Sequence, residues 1–227
     1  MANNQYWRWF NPYTTVSSAI LLLAFVLSLF APPSWAAENG PVEWLQVLIL
    51  SATCFLAVLV YYHGVGTIRD RRLILWTIPL WLLIIGRELG WGREVVHATG
   101  AMGKLPDRWY TWFVYPAVVT VSVATVWGLL RNGLLAEIRH WHRCGRIPAI
   151  DIIIIVGCSI ITDIVEHHSM GFFGASEQVY EEFAELVVYS AVFLLVANLG
   201  FNKEIQPVPS ARSVEAAADR AKTLKQQ

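Results

Sequence analysis

Residues 43–62 read EWLQVLILSATCFLAVLVYY, a stretch of twenty residues in which Glu43 is the one formally charged side chain. About 20 mostly apolar residues match the length of helix that crosses the hydrocarbon core of a bilayer. Because backbone polar groups in lipid must be satisfied within the segment, the stretch is predicted to be a helix and not a strand.

Similar windows recur along the chain and predict a bundle of about six transmembrane helices. The other five windows are Thr15–Ala31, Leu73–Trp91, Tyr110–Leu130, Pro148–His167 and Tyr180–Phe201. The composition agrees, because only 15% of the residues are charged, whereas a soluble domain usually carries about 25%. The chain is therefore predicted to be an all-α integral membrane protein, with a transmembrane helical domain at 1–201 and a polar tail at 202–227.

The first window also fits a secretory signal peptide. It follows a weakly basic start and ends near Ser34-Trp35-Ala36, where small residues occupy the two positions that a signal peptidase recognises. Cleavage would leave five spans, and those five would keep their orientation.

The positive charges predict the orientation. Thirteen of the seventeen Lys and Arg residues lie in the N-terminus, the connections after the second and fourth windows, and the tail. An excess of basic residues marks the cytoplasmic side, so a multi-pass protein of a bacterial inner membrane with a cytoplasmic C-terminus is expected. The basic, aromatic stretch 139–143 is expected near anionic headgroups of the lipid bilayer. Seventeen acidic residues balance the basic ones, which gives no support for a nucleic-acid partner.

The opposite, outward ends of the windows carry ionisable residues. A charged side chain within a span is costly, by roughly 2.5–3.5 kcal/mol at the helix centre, so such residues usually face a protein interior or a wet cavity. Arg87 is expected to pair with an acid on another helix, since carboxylates packed together need a neutralising charge. The predicted ligand-binding or ion-pair cluster is Glu43, Arg87, Glu88, Asp163, Glu166, Glu182 and Glu185.

Asp163, His167 and His168 are candidate metal ligands near the end of the fifth window. Asp163, Glu166 and His167 are spaced i, i+3, i+4 and so share one helix face. Carboxylate and imidazole groups at that spacing can hold a divalent metal, and they can equally form a Glu–His hydrogen-bonded relay. Solvated helix ends and structural ion pairs remain the simpler interpretation of these acids.

Three short motifs resemble a group of bacterial multi-pass inner-membrane proteins. They are Glu38-Asn-Gly-Pro-Val-Glu43, Arg87-Glu88-Leu-Gly-Trp91 and Glu181-Glu182-Phe-Ala-Glu185. The resemblance covers residues 38–200 and implies no activity, because none is assigned to that group. Ser159, Asp163, His167 and His168 are also similar to the side-chain set of the CREST membrane hydrolases. That family has seven spans and a His-x-x-x-His helix, and this sequence has neither.

Three functions fit the outward cluster. An acidic pocket could bind or transport a cation or a small cationic solute, with Arg87 as a movable counter-charge. The ion pairs could instead fix the register of a structural or assembly subunit against a membrane-protein partner. A divalent metal with a glutamate base could also serve a hydrolase acting on a lipid-linked substrate. Whether the protein is an enzyme stays open at this point.

Overall fold

The computed structural model describes residues 11–37, 40–92, 110–143, 148–168 and 177–202. Within these ranges the chain is helical and forms no strand. Two 3-10 turns, Pro33–Trp35 and Gly90–Gly92, and a π turn, Tyr110–Val114, accompany the α-helices. The α-helices are α1 Pro12–Ser28, α2 Pro41–His63, α3 Ile68–Leu75, α4 Ile78–Glu88, α5 Tyr115–Arg131, α6 Leu135–Arg143, α7 Ala149–His168 and α8 Glu177–Phe201.

Three helical segments of the described chain are long and apolar enough to cross a membrane. They are Pro41–His63, Trp112–Arg131 and Glu177–Phe201. Helix α1 is apolar but has 17 residues, and α7 has 20 residues that include three carboxylates. An all-helical fold compatible with membrane insertion is thus confirmed, and the count of six spans stays a prediction.

The third predicted window, Leu73–Trp91, is wrong as a single helix. Helix α3 ends at Leu75 and α4 begins at Ile78. Pro79 follows directly, and proline has no amide hydrogen to continue the hydrogen-bond ladder. The Thr77 hydroxyl donates to the Ile74 carbonyl at 2.6 Å and accepts the indole N–H of Trp81 at 2.8 Å. Side-chain hydrogen bonds therefore satisfy part of the backbone at the break.

Helix α8 lies at the centre of the described bundle and packs against α1, α2 and α7, while α4 packs against α2 and α5. One apolar cluster joins α1, α7 and α8, and another joins α2, α3, α6 and the end of α8. Leu50, Val60 and Val187, which are 0–2% exposed, show how tightly α2 and α8 are packed.

The outer surface of the molecule is more apolar than that of a water-soluble protein, and several polar side chains are buried. Large apolar side chains point outward, among them Leu22, Phe55 and Val123, which are 66%, 65% and 62% exposed. Polar side chains such as Gln46 and Asn198 are fully buried instead. Water-soluble monomers rarely expose apolar surface on this scale, so the outer surface of the helices matches lipid better than water.

The described helix termini form two ends with different charge. At one end, Val65 N–H donates to the Gly200 carbonyl at 2.8 Å, and the Thr14 hydroxyl donates to Asp151 at 2.7 Å. This end also contains α3 and α6, and we call it the basic end. The other end, which we call the acidic end, comprises the starts of α2 and α8 and the ends of α4 and α7.

Candidate functional site

Arg87 lies on the last turn of α4 and binds two carboxylates at the acidic end. Its Nη2 forms a short ion pair with Oε1 of Glu185 on α8, and its Nε donates to Oε1 of Glu88 at 3.2 Å. Oε1 of Glu88 also accepts the Tyr189 hydroxyl at 2.8 Å. The Arg87 side chain is 56% exposed, whereas those of Glu88 and Glu185 are 6% and 10% exposed. A half-exposed cation therefore neutralises two buried anions.

Gln46 forms a second polar link between helices at the acidic end. It is fully buried on α2, and its Nε2 donates to the carbonyl and to Oε2 of Glu182 on α8, both at 2.9 Å. Two acceptors facing the same nitrogen determine which way the amide points, since the amide oxygen could not accept from either of them. Gln46 thereby holds the Glu182 carboxylate against α2.

The acidic end contains a cavity of about 300 Å³ between α4, α7 and α8. Charged and polar groups come from all three helices, and two aliphatic side chains complete the wall. Its lining residues are Ile84, Arg87, Ser159, Thr162, Asp163, Glu185, Val188 and Tyr189.

The spacing of residues along α7 and α8 places these groups in the cavity. Ser159 and Asp163 are four residues apart, as are Glu185 and Tyr189, so each pair shares one helix face. The Thr162 hydroxyl donates to the Cys158 carbonyl at 2.9 Å, which leaves its oxygen lone pairs available to accept from a ligand. The wall on α7 therefore offers oxygen acceptors.

A tight turn after Glu88 shapes the end of α4. Gly90 and Trp91 have φ of 53° and 52°, a left-handed conformation that a bulky side chain rarely adopts. The turn brings the Trp91 ring over Gly86, where an added Cβ would lie 2.6 Å from the ring. Glycine at position 86 thus permits the Trp91 ring to pack closely on the last turn of the helix that carries Arg87.

The predicted cluster residues fall into three groups in the structure. Arg87, Glu88 and Glu185 are in direct contact, and Asp163 shares the cavity with Arg87 and Glu185. Glu182 is bound by Gln46 instead, and Glu43 lies half-buried on the first turn of α2, outside the cavity wall. The side chain of Glu166 lies outside the described residues.

The metal prediction is only partly within the described chain. Asp163 is described, whereas the side chains of His167 and His168 are not. Among the side chains that are described, no group of three or more His, Cys, Asp or Glu residues is placed to hold a metal ion. The divalent metal stays a prediction.

Ser159, Thr162 and Tyr189 also line the cavity, and Gln46 binds Glu182 beside it, although the predicted cluster contained none of the four. Tyr189 had a usable signal, because it lies one turn after Glu185 on the same face of α8. Gln46 had the signal that it lies one turn after Glu43 at the outer end of its window, but that position does not show which helix it faces, and Thr162 had no signal. Their roles depend on the packing of α2 and α7 against α8.

Comparison with known proteins identified no related protein. No protein-family model matches the sequence, and no curated protein or solved structure matches the chain. The resemblance to multi-pass inner-membrane proteins therefore stays a prediction, and the function has to be inferred from the site itself.

Proposed function

We propose that this chain is a multi-pass protein of a bacterial inner membrane that binds a cation or small cationic solute from the outer face. In this proposal about six spans form the bundle, the C-terminus is cytoplasmic and the acidic end faces outward. Two features support the membrane assignment: the outward-facing apolar side chains and the three helices of spanning length. The arginines that the structure describes at the basic end, among them Arg69, Arg72, Arg131 and Arg139, support the orientation.

The charge around the cavity is the main reason for proposing a cationic ligand. Among the described side chains, Asp163 and Glu185 line the cavity, Glu88 contacts Arg87 from behind it, and Arg87 is the cation of this set. When all four are ionised, these described groups carry three negative charges and one positive charge, and Arg87 is already engaged by two of the carboxylates. That excess favours a positively charged ligand over a neutral or negative one.

The volume of the cavity indicates which kind of cation would fit. The cavity of about 300 Å³ lies at the lower end of the range of about 300–1,000 Å³ that is typical of small-molecule sites. A bare metal ion would leave most of that space unfilled, whereas a hydrated cation or a small organic ammonium or guanidinium ion would fit. Ile84 and Val188 give an organic ligand an apolar wall, and Ser159 and Thr162 can accept its N–H groups.

Arg87 provides a mechanism for exchange with the ligand. Its guanidinium is half exposed and already contacts Glu185, a carboxylate that lines the cavity. A ligand cation bound between Asp163 and Glu185 would take over part of that ion pair, and Arg87 would turn toward Glu88. Binding would then replace one positive charge at Glu185 with another, so that no buried carboxylate is left unpaired.

A thermal-shift assay on the purified protein in detergent tests the proposal. The probes are sodium, magnesium, ammonium, guanidinium, choline and a short diamine, because a ligand that binds only the folded state raises the unfolding temperature by mass action. We expect stabilisation by at least one organic cation in the wild type. The Asp163→Asn and Glu185→Gln variants should weaken that binding by about tenfold or more, which corresponds to about 1.4 kcal/mol.

Glu137→Gln is the matched control, because it removes one carboxylate from α6 at the basic end. It should leave binding unchanged. Stabilisation that is the same in all variants would contradict the proposal. A stoichiometric metal in the purified protein would support the hydrolase in its place, and a stoichiometric membrane-protein partner would support the assembly subunit.

A further inference from the structure

Helices α3 and α6 form a separate surface at the basic end, far along the bundle from the cavity. The indole N–H of Trp141 on α6 donates to Oδ1 of Asp70 on α3 at 2.6 Å. Both side chains are buried, at 7% and 3% exposure. Oδ2 of Asp70 accepts the Thr67 N–H at 3.0 Å, which completes a capping box at the start of α3. This connection, which we call the Asp70–Trp141 link, joins the two short helices.

The link affects the charge of the surface because it turns an acid inward. Both carboxylate oxygens of Asp70 accept hydrogen bonds, one within the capping box and one from Trp141. The other acid, Glu137, is also mostly buried, with a side chain that is 12% exposed. Arg69 pairs with Glu137 at 3.7 Å while its side chain stays 69% exposed, and the half-buried Arg71 donates to the Tyr61 carbonyl at 3.2 Å. Among the described residues, the exposed arginines of α3, α6 and the adjoining end of α5 are Arg69, Arg72, Arg131 and Arg139. The outer surface is therefore strongly positive although the segment contains acids.

Apolar side chains accompany the exposed arginines. Leu135 and Ile138 are each 42% exposed and lie three residues apart on one face of α6, and Ile68 at the start of α3 is 45% exposed. A short helix with apolar residues on one side and basic residues beside them is typical of a helix lying in the membrane interface. The arginines can reach headgroups while their stems cover apolar surface.

We propose that the surface formed by α3 and α6 binds the headgroups of anionic phospholipids. In this arrangement α6 lies in the interface, with Leu135 and Ile138 at the acyl chains and Arg72 and Arg139 at the phosphates. The position in the fold supports a lipid as the occupant, because two segments of spanning length, α2 and Trp112–Arg131, end beside this surface at His63 and Arg131. Headgroups are expected at that level of a bilayer. The proposal does not depend on the function of the cavity.

Reconstitution of the full chain into nanodiscs tests this proposal. One set contains phosphatidylcholine alone, and the other contains phosphatidylcholine with phosphatidylglycerol. We expect phosphatidylglycerol to raise the unfolding temperature of the wild type and to be retained in native mass spectrometry. Because the Arg72→Ala/Arg139→Ala variant removes two of the four exposed arginines, it should lose about half of that temperature shift.

The Arg72→Lys/Arg139→Lys variant is the matched control. It keeps the charges and should retain the shift, since attraction to a charged leaflet depends on charge more than on guanidinium geometry. High salt should reduce the shift in the wild type by screening. An equal phosphatidylglycerol shift in the wild type and the alanine variant would overturn the proposal. The same holds if the wild type shows no shift, or if the lysine variant loses as much as the alanine variant.

Discussion

At the scale of single residues, the Arg87 guanidinium determines whether Glu88 and Glu185 can stay buried. Removing it leaves two buried carboxylates without their cation, which is more costly than losing the attraction itself. We expect Arg87→Met to lower the free energy of unfolding by about 1–3 kcal/mol, toward the low end because the guanidinium is half exposed. Denaturant unfolding in detergent, followed by tryptophan fluorescence, measures the change.

A double-mutant cycle separates the Arg87–Glu185 pair from other effects of the substitution. Glu185→Gln removes one of the two stranded charges, so the double variant should be more stable than the sum of the two single losses predicts. Additive losses would show that the two side chains do not interact energetically. Such a result would also remove the exchange mechanism proposed for the cavity.

The sequence could predict only part of this ion-pair arrangement. The sequence predicted that Arg87, which lies in an apolar helix, pairs with an acidic side chain, because a lone charge in a span is costly. Several glutamates and Asp163 were available at similar depth, however, and depth does not reveal which helices face each other. The choice of Glu185 follows from the rotation of α4 and α8 about their axes, which depends on packing throughout the bundle.

At the scale of elements, α5 packs on the break between α3 and α4. The ring of Trp76, in the break, lies on Gly128 of α5 so closely that an added Cβ would overlap it. We expect Gly128→Ala to separate α5 from α4 and to lower stability by about 1–3 kcal/mol, as overpacking does. The unfolding temperature in detergent measures the loss.

Gly157→Ala on α7 is the matched control, because nothing lies within 4 Å of a Cβ at that position. Alanine favours a helix over glycine by about 1 kcal/mol, so this variant should be neutral or slightly more stable. If both variants behaved alike, the close contact between Trp76 and Gly128 would have no energetic role.

Helix positions were predicted better than helix continuity. The windows Glu43–Tyr62 and Pro148–His167 differ from α2 and α7 by one or two residues at each end, because the length and hydropathy of a segment are properties of its own residues. The break at Trp76–Thr77 was missed although Pro79 marks it. A hydropathy window averages over a proline, whereas in the backbone a proline removes one hydrogen bond and its ring crowds the preceding turn.

At the scale of the whole molecule, the separation of charge between the two ends predicts a fixed orientation. The acidic end holds the cavity, and the basic end holds the surface of α3 and α6. Lys and Arg resist transfer across the membrane during insertion, so the basic end should stay in the cytoplasm. Both proposals depend on this point, because the cavity needs access to outer solutes and the basic surface needs the anionic inner leaflet.

Cysteine labelling in intact cells tests the orientation. In a background with Cys54, Cys144 and Cys158 replaced by alanine, Gln178→Cys places a thiol on the first turn of α8 at the acidic end, where the native side chain is exposed. His140→Cys does the same on α6 at the basic end. A membrane-impermeant maleimide should label position 178 in intact cells but label position 140 only after permeabilisation. The reverse pattern would place the acidic cavity on the cytoplasmic side, where solutes of the outer face could not reach it.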